Sequence, residues 1–463
     1  MDKRDKLLIP AVMVLLIATL YSCGGGNDSQ VADGGIGGTG VTQGRVSGFG
    51  SIFVNGIEFN TDMANFTVND ANGTQDDLGI GMVVRISGTR DQAAGTGEAE
   101  SVEYHSLLEG VIERNDIALD NTLTIMDQII TVNLDTVYEN HIDATLLADL
   151  PTNSVVEVSG FTDGAGAILA TRIEVKSLGW AGDKLEVSGV VSNISGNRFQ
   201  IGNLTIDASN ALPIPAEGTL VEVEGNSFSG DVFEADAIEI KGDGSAVVAE
   251  DGHKVEIEGQ ITVALDDQDR FTLNGQVVDA SSTPFSGASS TLTVGRIVEV
   301  EGVMNGEVLL AEEIELEAEE SEKGEIAGII GVGNVDVSAG TVTLLGRTIK
   351  VDNSTIMEND LENESTFTLS QLISSDYLEA KVFFDNGDLV ASKLELDTPP
   401  GNHNAEIEGI PEFIDASTIR IFGITVDTSG VGYSFSPERI EVEGNFVNDV
   451  LIASRIEVED DDD

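Results

Sequence analysis

The chain has 463 residues, with 82 acidic and 23 basic side chains and a formal net charge of −59. That acidity excludes the Lys/Arg footprint that nucleic-acid phosphates require, and it disfavours electrostatic docking to anionic lipid. A single cysteine excludes any disulfide within the chain, and aromatics at 5% leave the cores to be built from aliphatic side chains.

The first element is a leader. Lys3, Arg4 and Lys6 precede an apolar run from Leu7 to Leu20 that only Pro10 and Thr19 interrupt. The run is short for a membrane span and has the layout of a signal peptide. It ends in Leu20-Tyr21-Ser22-Cys23-Gly24, which resembles a bacterial lipobox. The resemblance implies that residues 1–22 are cleaved off, that Cys23 is acylated, and that Gly24 directs the product to the outer membrane. The alternative is an ordinary secretory signal with a chance cysteine. Residues 23–40 are Gly-rich and read as a flexible tether. Gly35-Ile36-Gly37-Gly38-Thr39-Gly40 matches a dinucleotide fingerprint literally, but without the strand-to-helix context that would give it meaning.

Beyond the tether, an Ala followed by an aliphatic residue at +3 and Glu at +4 occurs six times, from Ala99, Ala170, Ala235, Ala311, Ala391 and Ala453. Each copy closes one repeat, and such a period governs the whole architecture. The repeats are 41–104, 105–176, 177–241, 242–317, 318–397 and 398–463, the last with an acidic tail. Each opens on a short run such as Glu256-Ile257-Glu258-Gly259. Two β-type runs follow, joined in repeats one and four by Asn55-Gly56 and Asn274-Gly275, which are hairpin signals.

A variable segment comes next, and apolar spacing predicts a short helix there in repeats two and five (Val137, Ile142, Leu146, Leu147 and Leu150; Leu361, Phe367, Leu369, Leu372 and Ile373). The fourth run alternates strictly, as in Val298-Glu299-Val300-Glu301-Gly302, which predicts Val in the core and Glu in water. In the fifth run, a spacing of three would place Ala and its aliphatic partner on opposite faces, unless a β-bulge turns both inward. Five strands with a variable connection between the third and fourth predict an all-β chain of six tandem OB-like barrels. A continuous β-solenoid is the competing architecture. Strung together by linkers such as Thr398-Pro399-Pro400-Gly401, the barrels would form an elongated monomer of beads.

The repeat, the lipobox and the tether together resemble a family of proteobacterial lipoproteins built from tandem copies of a domain of unknown function. The stretch from Gly48 to Gly56, Gly-Phe-Gly-Ser-Ile-Phe-Val-Asn-Gly, carries the resemblance most closely. Repeat five departs from it, because Val382 stands where the other fourth strands end in Gly. The resemblance implies architecture and export, and brings no activity and no catalytic residues.

Chemistry is sparse. His105, His141, His253 and His403 lie in no zinc-type spacing, no G-x-S-x-G elbow or Walker motif is present, and the only Cys is committed to lipid. No catalytic residue, cofactor site or metal site is assignable. Weak calcium binding could arise from Asp266-Asp267-Gln268-Asp269 or from Asp116 with Asp120, neither of which has the EF-hand pattern. Trp180, the single Trp, and Leu178 are expected to pack between domains. The sequence therefore predicts a lipid-anchored cell-envelope repeat protein that is not an enzyme. It would act as a spacer or binding array for an envelope or extracellular ligand. A calcium-dependent adhesin or carbohydrate-binding surface protein, and a hydrolase in one diverged repeat, are the alternatives.

Overall fold

The computed structural model describes residues 40–139, 144–163, 166–242, 249–283, 292–319, 322–359, 361, 365–385, 387–399, 401 and 403–458. The leader, Cys23, most of the tether, His141 and the acidic tail at Asp460–463 lie outside them.

Repeat four shows how the pattern folds. Its five strands are Lys254–Val263, Arg270–Leu273, Gln276–Asp279, Ile297–Asn305 and Val308–Leu316. The first pairs with the second and the fourth, the second with the third, the third in parallel with the fifth, and the fourth with the fifth. This ring is a closed five-stranded barrel of OB type. Repeats one to three close in the same order. In repeats five and six the opening strand comes in two pieces, Gly324–Ile329 with Val335–Asp336, and Ala405–Gly409 with Glu412–Asp415. Pro411 sits in the second break, where a residue without an N–H cannot continue a ladder.

The hairpins form as predicted. Asn55-Gly56 and Asn274-Gly275 both carry positive φ, the geometry of a primed turn. Met126-Asp127, Leu345-Gly346 and Phe422-Gly423 make the equivalent turn with residues that carry no such signal. Among the described residues the variable segment forms an α-helix only at Ala144–Ala148 in repeat two. In repeat five it is a single 3₁₀ turn, Leu369–Gln371, closed by a capping box between Thr368 and Gln371. One turn is as far as so short a segment propagates against the cost of helix nucleation.

The bulge in the fifth strand is present. The register slips by one residue after the Ala in repeats one, two, four, five and six. Ala99 and Val102, Ala170 and Ile173, and Ala391 and Leu394 therefore all face the core. In repeats one, two, four and six the bulge also accounts for the Gly that ends the fourth strand, whereas repeat five forms it with Val382 opposite Ala391. A Cβ at Gly160, Gly302 or Gly444 would lie 2.1–2.2 Å from the carbonyl oxygen of Leu169, Leu310 or Ile452.

The barrels do not hang as beads. Opening strands pair across repeats: Val41–Gln43 of repeat one runs parallel to Val255–Ile257 of repeat four. Leu108 and Glu109 of repeat two pair with Val187 and Glu186 of repeat three. Residues 325–328 of repeat five pair with 405–408 of repeat six. A small apolar kernel of Ile80, Val137 and Ile356 draws repeats one, two and five together.

Consequently the expectation for the alternating strands is half corrected. Val223, Val298 and Val300 are in the core as predicted, but Glu186, Glu222, Glu256 and Glu258 are buried as well. The outer faces of the opening and fourth strands are not solvent faces, because they are where barrels meet. Among the described residues no helix is long and apolar enough to cross a membrane.

The bulge makes a prediction. Gly302→Val should cost repeat four about 3 kcal/mol, the upper end of the range for overpacking a filled site. Denaturant melts of the two proteins would measure it, and a change below about 0.5 kcal/mol, as for a surface substitution, would remove the close-approach account.

Candidate functional site

The feature that joins most of the repeats is a buried cluster of charge around Asp135. This residue lies between the strands Gln128–Thr131 and Val137–Glu139 of repeat two. Asn133 Oδ1 accepts the Asp135 N–H at 3.1 Å and so fixes the turn that presents the carboxylate. Asp135 is 3% exposed and pairs with Lys323 of repeat five, itself 4% exposed. Ser392 Oγ, in the bulge of repeat five, donates to Asp135 Oδ1 at 2.6 Å. Arg45 of repeat one stands 3.9 Å from Asp135 Oδ2 and 2.9 Å from Glu258 of repeat four, and also pairs with Glu317. Four repeats thus meet on one carboxylate and one guanidinium.

Electrostatics follow from the burial. Desolvation alone would raise the Asp135 carboxyl, but Lys323 and Arg45 outweigh it and hold the group well below the usual carboxylate range. Glu258 has less compensation, and burial pushes it up to about 8 against the pull of Arg45.

Two further clusters repeat the theme. Arg90 of repeat one reaches Glu256 at 2.6 Å and Glu301 at 2.9 Å in repeat four. Lys393, 2% exposed, reaches Glu358 at 2.9 Å and Glu395 at 2.7 Å and donates to Thr136 O of repeat two at 3.4 Å. Where repeats five and six meet, acids outnumber bases. Glu379 and Glu406 both stand opposite Ala327, and burial first, then Glu325, lifts each to about 8.

Beside Asp135 a cleft of about 470 Å³ opens between repeats two and four, lined by Asn121, Asn133, Asp163, Gln260, Arg296 and Glu319 among others. Its walls are mixed, with Val132, Phe161, Ile168, Leu169 and Ile297 beside the polar groups, and Arg296 is paired with Glu319.

The residues singled out by sequence fall elsewhere. Cys23 and His141 lie outside the described residues. Asp266 Oδ1 accepts the backbone N–H groups of Gln268 and Arg270 at 2.8 and 2.9 Å, so it closes its own turn. Asp116 pairs with Arg114, and Asp120 accepts a hydrogen bond from Thr122 at 2.6 Å. His253 stands 3.8 Å from Glu250, and His403 stands 3.6 Å from Glu443. Trp180 does pack against the core that repeats two and three share, with its backbone N–H donating to Asn153 O at 2.8 Å and its indole N–H to Asp183 O at 2.9 Å, whereas Leu178 is exposed. Neither Asp135 nor Lys323 carries a sequence signal, because the two are 188 positions apart.

A family model described as "Domain of unknown function (DUF5666)" matches residues 40–103, 109–174, 243–315 and 332–395, more than half of the chain. The chain belongs to this family. No curated protein matches it. The four matched DUF5666 segments correspond to repeats one, two, four and five. Repeats three and six lie beyond the matches yet have the same strand order, so the barrel recurs where the sequence has drifted further.

Two predictions follow from the charge in this DUF5666 assembly. Asp135→Ala strands Lys323 in the interior and should cost about 3–5 kcal/mol, whereas Asp135→Leu combined with Lys323→Met should recover most of that loss. A double-mutant cycle by denaturant unfolding checks both. The second prediction concerns pH. Glu379 and Glu406 hold protons in the fold up to about 8 that the unfolded chain releases near 4.5. Their contribution is therefore complete below about 4.5 and is lost as pH rises through about 8. Stability should fall across that window, and Glu379→Gln with Glu406→Gln should flatten the fall in thermal melts. Asp135 has the opposite sign, so its contribution is lost in strong acid.

Proposed function

We propose that the protein is a lipid-anchored envelope component whose six barrels form one rigid, acidic platform, acting as a spacer or binding scaffold and not as an enzyme. The observation that carries this reading is where the chain places its buried charge. The Asp135, Arg90 and Lys393 clusters each tie one repeat to another: Asp135 and Glu256 pair with cations from other barrels, and Lys393, paired within its own barrel, donates to a carbonyl of repeat two. A barrel array locked in this way holds its outer loops at fixed spacing.

Location rests on the lipobox. Acylation at Cys23, followed by the Gly-rich stretch to residue 40, would hold the platform at the outer membrane and leave it free to meet an envelope or extracellular ligand. The large negative charge would keep it monomeric and clear of anionic surfaces.

The test is fractionation. Cys23→Ser should move the protein from the membrane fraction to the soluble fraction and leave its mass without the lipid increment. A mutant that stays with the membrane at the wild-type mass would overturn the anchor.

A further inference from the structure

One cluster of ligating side chains lies apart from the Asp135, Arg90 and Lys393 clusters. Asp70 lies at the tip of an extra hairpin of repeat one, in the two-residue turn Asn69-Asp70 between the strands Asn65–Val68 and Ala71–Gly73. Both turn residues have positive φ, which Asn and Asp tolerate, so the turn projects a carboxylate outward. His105 follows the closing strand of repeat one, Thr96–Tyr104. The next residue, Ser106, donates its N–H to Asn69 Oδ1 at 3.0 Å, which ties this link to the hairpin. Glu222 comes from the fourth strand of repeat three, Leu220–Gly225, on the face turned away from that barrel's core.

The three side chains converge. His105 Nδ1 is 3.7 Å from Asp70 Oδ1 and 4.0 Å from Glu222 Oε2, and the ligating atoms all lie within 4.8 Å of one another. Glu222 is 3% exposed and its Oε2 accepts no hydrogen bond, while the buried Nδ1 of His105 is likewise without one. Among the described residues the cation at the cluster is the Lys241 ammonium, which pairs with Asp70 and stands 3.3 Å from Glu222 Oε2. It also stands 3.6 Å from Glu239, so the side chain has a second carboxylate to turn to.

We infer that Asp70, His105 and Glu222 form a binding site for a divalent transition cation of the zinc class, joining repeat one to repeat three, with Lys241 holding the place of the metal in its absence. The donor set decides the class. One imidazole and two carboxylates suit zinc and its neighbours, whereas calcium takes six to eight oxygens and gains little from a ring nitrogen. The spacing is within reach, since tetrahedral ligands at about 2.1 Å from zinc stand about 3.4 Å apart. Closing movements of about 0.3 and 0.6 Å on the two distances to His105, with Lys241 swung to Glu239, bring these ligands to zinc spacing and leave a fourth position for water. Metal would then bridge two barrels whose opening strands pair elsewhere, that of repeat one with repeat four and that of repeat three with repeat two.

Titration calorimetry of the full chain with zinc chloride tests this, with calcium chloride at matched ionic strength as the control for the diffuse acidity. Zinc should show one tight equivalent above a weak background, and calcium the background alone. His105→Gln, whose side chain is part-exposed and whose folding circular dichroism can verify, should weaken the tight phase at least tenfold. Lys241→Met should tighten it, because the competing ammonium is gone. Cobalt(II) in place of zinc should give a visible absorption band that the His105→Gln protein lacks. Identical zinc and calcium isotherms, or a His105→Gln protein that binds zinc as the wild type does, would overturn the site. A Lys241→Met protein that binds zinc no more tightly would overturn the role given to the lysine.

Discussion

The assembly depends on charge taken out of water and compensated across barrels. Asp135 is the clearest case. Its carboxylate comes from repeat two, its ammonium partner Lys323 and its hydroxyl donor Ser392 from repeat five, and Arg45 from repeat one carries the contact on to Glu258 and Glu317 of repeat four. A buried ion pair contributes little net stability compared with well-packed apolar residues, but breaking one partner is costly. The cluster therefore acts as a constraint on position: the barrels can dock only where these four groups find one another. The strand pairings across repeats supply the hydrogen bonds, and the charges select the register.

The formal charge of −59 acquires a different meaning in this light. Part of it is a solvated coat, and part lines the seams. With 23 basic residues against 82 acidic ones, many cations are shared between carboxylates. Lys381 is shared by Glu325 and Glu395, and Lys184 by Glu186 and Glu224. Acids left over at the seam of repeats five and six stay partly protonated instead, so that seam responds to pH.

The single barrel was legible in the sequence because its signals are local. Period-two runs such as Val298 to Glu301 mark the fourth strand, Asn-Gly marks the hairpin, and the Ala-x-x-aliphatic-Glu run encodes a bulge that the Gly of the preceding strand confirms. Docking was not legible, for a physical reason. A Glu that faces another barrel and a Glu that faces water occupy the same position in a period-two pattern, so Glu222 and Glu256 could not be told from solvated residues. The same holds for the Asp70, His105 and Glu222 cluster, whose members sit on a turn of repeat one, the link into repeat two and a strand of repeat three. No spacing within one segment brings them together; only the packing of barrels does.

The opening strand of repeat one has a mechanical consequence. Any pull transmitted along the chain from its N-terminal side enters the described structure at Gly40. There, Val41 to Gln43 are held on one side by repeat four in parallel and on the other by Arg85 to Ser87 in antiparallel. A force along that strand meets both ladders in shear, so their hydrogen bonds bear the load together and do not open one at a time. The Arg90–Glu256 pair, with Thr42 donating to Glu256 at 3.2 Å, braces the same point. The strand that continues the tether is thus also the one best placed to spread tension over two barrels at once.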